Sequence, residues 1–233
     1  MWAVSTLGCT RMWTLSTLGY AACVTTSAYH HGNLRAALVE TGTAMARESG
    51  PDGVALREVA RRVGVSHNAA YRHFADREAL LGAIGAVGMD LLTDTMQRRL
   101  AEVPDGLEPV ARTQQRLRAV GRAYVEFAVA EPGLFRTVFM GQADAAGFET
   151  VDETEEDSGP YQLLNQVLDE LVEVGYLSPD RRPQADVVCW SGVHGVAVLH
   201  LDGPLRLAPP EEREATMLRF FDIVERGLGG GAG

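Results

Sequence analysis

Lysine is absent from this chain: all 21 of its basic residues are Arg. The bias reads first as coding preference and only second as function. Cysteine is scarce. Cys9, Cys23 and Cys189 are far apart, odd in number, and form no CxxC pair, which excludes a disulfide framework or a zinc ribbon and fits a reducing cytoplasm. No HExxH, nucleophile elbow or P-loop occurs. His194 and His200 lie about 240° apart around a helix and do not converge on a metal. These absences argue against an enzyme, a cofactor or a metal site. Runs of alternating polar and apolar residues are also missing, so the expected class is all-α. No stretch reaches the ~20 uninterrupted apolar residues that span a bilayer.

Charge is present but unevenly placed. The formal net charge is −10, which at first excludes a polyanionic partner. Yet residues 29–77 hold seven Arg against five acids, whereas residues 78–233 hold 13 Arg against 26. A basic module precedes an acidic body, a distribution that suits a polyanion bound at one end. Before the module, "MWAVSTLG" at 1–8 nearly recurs as "MWTLSTLG" at 12–19. Residues 1–28 read as a disordered extension; a leader peptide is the other reading.

Helical periodicity runs through the rest. Leu34, Leu38, Thr41 and Met45 mark one helix, ended by "GPDG". Leu56, Val59, Ala60 and Val63 mark a second, stopped at Gly64. Ser66 is placed to cap a third, closing on Phe74, and Asp76 to cap a fourth with Leu80, Ile84, Val87 and Leu91 inward. A fifth carries Tyr124 and Phe127. "EPGLFRTVFM" restarts after Pro132. The acidic run at 149–157 reads as a solvated loop, and "SPDRRP" as a linker. Residues 187–201 are apolar nearly all round and predict a helix buried on every side. Met217, Phe220, Phe221, Val224 and Leu228 stripe the last helix.

Two short helices joined by Gly64-Val65-Ser66 have helix-turn-helix spacing. At ~100° per residue, Ala70 and Phe74 face inward and Asn68 and Arg72 outward. His67 and Tyr71 flank one side and His73 the other. The outward face holds no carboxylate to repel phosphate. Spacing alone leaves two readings: a DNA-reading helix, or the polar face of a small bundle in a helical binding or scaffold protein.

"LREVARRVGVSHNAAYRHFADREALL", with the preceding "HGNLRAALVETGTAMARESGPDG", resembles the DNA-binding domain of TetR-family transcriptional regulators. The resemblance spans about residues 31–92 and rests on Gly64, Val65, Ser66, Tyr71, His73, Phe74 and the Arg77-Glu78 pair. It implies that Arg57 reads a base, that His67, Asn68 and Ala69 face base edges behind the Ser66 cap, and that Tyr71, Arg72 and His73 hold phosphate or sugar. Arg77 stands where the family usually has a phosphate-binding Lys. Ala55 departs from the usual Ser or Thr cap, Ala70 replaces a common Leu, and Ala69 offers only apolar contact, for instance to a thymine methyl.

For the body the resemblance is to one subgroup, through "WSGVHGVAVLHLDGP" at 190–204 and "EPGLFRTVFM" at 131–140. It implies a small-molecule effector of unknown identity, a homodimer, and a palindromic double-stranded operator. Tyr124, Phe127, Phe135, Phe139, Met140, Trp190 and His194 are the candidate pocket residues; plain core packing is the competing reading for each. His194 is open to three roles: a hydrogen-bonded core histidine, a ligand contact, or a base. The expected molecule is thus an all-α cytoplasmic regulator, with a helix-turn-helix domain at 29–77 and a ligand-binding and dimerisation domain at 78–233.

Overall fold

The computed structural model describes residues 34–139 and 159–229. The proposed extension at 1–28, Met140 and the acidic run at 149–157 lie outside them. Among the described residues there are nine α-helices, short 3₁₀ turns and no strand. The all-α expectation holds.

The first three helices form a small module: α1 (Leu34–Ser49), α2 (Leu56–Val63) and α3 (His67–Tyr71). Their ends follow local chemistry. Gly64 takes φ 82° and returns its N–H to the Ala60 and Arg61 carbonyls, a left-handed stop that glycine adopts without Cβ strain. Ser66 Oγ accepts from the Ala69 N–H at 3.3 Å, occupying an orphan donor of α3. One expectation needs correcting. α3 ends at Tyr71, with Arg72 as its cap, so Phe74 does not close the helix. It lies in the turn beyond, 3 % exposed, in a core with Leu56, Val59, Ala60 and Ala70. Helical spacing and a tight turn bring the same side chain inward.

Asp76 Oδ1 then accepts from the Ala79 N–H at 2.7 Å and opens α4 (Arg77–Ala101). This 25-residue helix is about 37 Å long. Its buried stripe is Leu80, Ile84, Gly88, Leu92 and Met96; Val87 and Leu91, expected inward, are half-buried flanks. The stripe advances in steps of four and so winds around the helix, because α4 meets α1 early and α5, α6 and α7 further on. By length and composition α4 could cross a bilayer; here it is a strut between other helices.

The body adds α5 (Pro109–Ala130), α6 (Pro132–Phe139), α7 (Pro160–Glu173), α8 (Ala185–Leu201) and α9 (Pro210–Gly229). Proline opens four of the five, all but α8, at a position whose N–H would be unpaired anyway. Guanidinium forks fasten α5 to its neighbours. Arg116 is bidentate to Glu170 of α7, at 2.7 and 3.0 Å. Arg118 grips Glu225 and Asp222 of α9, and Arg122 grips Glu214. Planar two-point pairing is what Arg does and Lys cannot.

The "SPDRRP" linker connects α7 to α8 through a 3₁₀ turn over Pro179–Arg181, with Arg181 donating to the Gly227 carbonyl at 2.6 Å. One further expectation changes: α8 is not buried on every side. Val188 is 63 % exposed, and Val187, Ser191, Gly195 and Leu199 are open with it. An all-apolar helix states only that its faces are to be covered; in one copy of the chain this one is bare.

Candidate functional site

The outward face of the first module is built from α2 and α3. His67, Asn68, Tyr71, Arg72 and His73 are all exposed, and Ala69 is half-buried among them. No carboxylate bonds to any of these side chains among the described residues. The cations of α2 are not alike. Arg61 is held by Glu58 through two hydrogen bonds of 2.7 Å. Arg62 reaches Glu58 at 3.3 Å and Glu48 at 3.4 Å. The hydrogen bond from Arg61 keeps the Glu58 carboxyl ionised down to about 2. Arg57 is exposed and has no hydrogen bond or ion pair among the described residues. Among those residues, two cations on this surface, Arg57 and Arg72, are therefore unneutralised.

Ala55 precedes α2 in extended conformation and offers no side-chain cap. Arg77 is placed differently from its neighbours in the motif. Its Nε donates to the Val54 carbonyl at 2.8 Å and its Nη2 to the Pro51 carbonyl at 2.6 Å. The guanidinium closes the turn between α1 and α2, tying the start of α4 to the module. Arg35 lies over the Phe74 ring, 5.2 Å from its centroid.

The body holds an apolar cavity between α4, α5, α7, α8 and α9, with Phe139 of α6 on one side. Of the residues expected there, Tyr124, Phe139 and Trp190 line it. Phe127 and Phe135, 3 % and 0 % exposed, are core behind the wall. His194 is also behind it: its ring stacks on Phe135 at 5.5 Å, and its Nδ1 is 2.8 Å from Tyr124 Oη. Trp190 Nε1 donates to the same hydroxyl at 3.2 Å. Burial pushes His194 below its ordinary range and Tyr124 above its own, so both are neutral near pH 7.

Much of the wall is new. Met89, Leu92 and Met96 come from α4, and Leu117, Val120 and Gly121 from α5. Pro160, Tyr161 and Leu164 of α7, Cys189 and the Phe220-Phe221 pair also line it. Their spacing is that of any core stripe, so nothing in the sequence separates a wall from a filled interior. Burial pushes the Cys189 thiol up to about 11; it stays protonated and is no nucleophile.

Two sequence profiles match this chain. "Bacterial regulatory proteins, tetR family" covers residues 38–84, and "Tetracyclin repressor-like, C-terminal domain" covers residues 117–222. The chain belongs to the TetR family. Membership makes the α2–α3 unit the helix-turn-helix of a DNA-binding transcription regulator, on a body of the kind that in this family binds small molecules and dimerises. Among solved structures, a protein of unknown function from Rhodococcus sp. RHA1 is 30 % identical, with TM-score 0.68, over 87 % of this chain and 98 % of that one. A TetR-family transcription regulator from Shewanella sp. PV-4 is 20 % identical, with TM-score 0.55, over 81 % and 96 %. A TetR regulator from Streptomyces coelicolor is 16 % identical, with TM-score 0.60, over 84 % and 97 %. These last two share the fold. No curated protein matches the chain.

Proposed function

We propose that this TetR-family protein is a homodimeric cytoplasmic repressor, released from its operator by a small apolar molecule. Residues 29–77 serve as the reading head and residues 78–233 as the sensing and dimerising body. In the head, Arg57, His67, Asn68 and Ala69 face base edges, and Tyr71, Arg72 and His73 hold the backbone. Ser66 presents α3 by capping it, and Arg77 braces the head. The second copy is seated on the bare stripe of α8 and on α9, whose Leu218 and Ile223 are also exposed. Two reading helices about 34 Å apart then read a palindrome.

One observation carries the release mechanism: two helices touch both head and cavity. α4 bonds the α1–α2 turn through Arg77 and lines the cavity with Met89, Leu92 and Met96. α6 lines it with Phe139 and lies so close to α1 that a Cβ on Gly133 would overlap the Ala46 carbonyl oxygen. A ligand that repositions either helix moves the head with it. Operator and ligand then oppose each other reciprocally by about 1–3 kcal/mol.

The test selects genomic fragments with the purified protein, then repeats gel shifts on the recovered operator with ligand added. Affinity for the operator should fall as ligand saturates. A ligand that binds while operator affinity stays constant would end the release mechanism, and failure to select any fragment would favour a helical binding protein without DNA.

A further inference from the structure

The hydrogen-bonding inventory of the cavity says what chemistry it accepts. Among the described residues, four lining side chains carry polar N, O or thiol atoms: Tyr124, Tyr161, Trp190 and Cys189. Trp190 Nε1 can only donate, and it donates to Tyr124 Oη at 3.2 Å. Tyr124 therefore turns its own hydrogen to His194 Nδ1, 2.8 Å away, which leaves the hydroxyl one free lone pair. Tyr161 donates its O–H to Asp186. The Cys189 thiol is a weak donor at best. Every strong side-chain donor of the wall is occupied, and what remains free is acceptor.

Cations are equally withheld. Among the described residues no charged side chain lines the cavity. The guanidinium groups of the α5 wall, Arg116, Arg118 and Arg122, are each held by carboxylates of α7 or α9. α7 opens at the cavity through Pro160, which has no N–H, and the Asp186 carboxylate stands beside Tyr161 at that end. An anionic ligand would lose its water and find neither a free strong side-chain donor nor a countercharge on the described wall, a large penalty. Thioethers and rings, by contrast, offer Met89, Met96, Phe139 and Phe220 to a polarizable apolar body.

We infer that the effector is a neutral, largely hydrocarbon molecule with at most one donating group, an alcohol or phenol meeting Tyr124 Oη, and that carboxylates, sulfonates and phosphates are rejected. This rests on the ligand-release reading above. The test uses full-length protein and two size-matched pairs: N-phenylnaphthylamine against anilinonaphthalene sulfonate, by dye fluorescence, and dodecanol against dodecanoate, by displacement of the neutral dye. The neutral member of each pair should bind at least about tenfold tighter and should weaken operator binding.

Val120→Phe, which fills the cavity from α5, should abolish the neutral-dye signal while helical circular dichroism and operator binding persist; Leu164→Phe does the same from α7 if the first variant misfolds. Dye binding that survives in a folded cavity-filled protein overturns the assignment. Anions that bind as well as, or better than, their neutral partners overturn the neutral-ligand inference and leave release standing. If none of the four binds a protein that holds its operator, both fall.

Discussion

Arg57 and Arg61 are four residues apart on α2 and both exposed, yet of the two only Arg61 is held by a carboxylate among the described residues. Arg57→Ala should therefore weaken the cognate operator by about 1–3 kcal/mol and relax one base position, while Arg61→Ala changes little; gel shifts on cognate and scrambled DNA separate the two. Glu58 is the reason for the difference. Glu58→Gln frees Arg61 and leaves Arg62 paired with Glu48 alone, so affinity should rise for all sequences, and the log–log salt slope should steepen by about 0.9 per phosphate newly neutralised. Arg77→Ala should act on folding instead. It strips two carbonyls of a charged donor, a loss of about 1.5–3 kcal/mol read from the urea midpoint. His194 brings a pH dependence. Burial depresses its folded pKa, so folding favours the neutral ring while the unfolded chain takes up a proton near pH ~6.5. The stability it contributes is full above that value and is lost as pH falls through it towards the folded pKa. The urea midpoint should thus decline on acidification, and less so in His194→Asn; an equal decline in both would remove His194 from the account.

Helices carry the next level, and α6 is the one whose seating is tightest. Gly133 sits against backbone, not against a side chain that could swing away. Gly133→Ala should cost about 1–3 kcal/mol by overpacking and should loosen the link between ligand and operator more than it loosens either binding alone, measured as operator affinity with and without ligand. Element ends were legible in advance because single residues decide them: Gly64, Ser66 and Asp76 act through φ, a hydroxyl or a carboxylate one turn away. The recognition face was legible for a similar reason, since five residues at ~100° steps leave few arrangements. The cavity was legible only in part. Tyr124, Phe139 and Trp190 are large aromatics on apolar faces, but so are Phe127 and Phe135, which sit in the core. Met89, Leu92 and Met96 repeat every few residues like any packed stripe. Whether a side chain meets a neighbour or a gap is set by the crossing of five helices, and periodicity along one helix does not contain it.

At the scale of the whole molecule, the bare stripe of α8 and the acidic body act together. Val188→Glu with Leu199→Glu should leave a folded monomer by light scattering, and the loss of the second reading helix should lower operator affinity about a hundredfold or more. A double variant that stays dimeric would move the interface off α8. The negative body repels DNA while the head approaches it, so the protein meets a duplex in one orientation. The cavity also has a calorimetric consequence. With its donors already satisfied, transfer of an apolar guest from water dominates its binding, and such transfer carries a negative heat-capacity change. The enthalpy of effector binding should fall steadily with rising temperature, and titration calorimetry at several temperatures would record this as a straight, downward line.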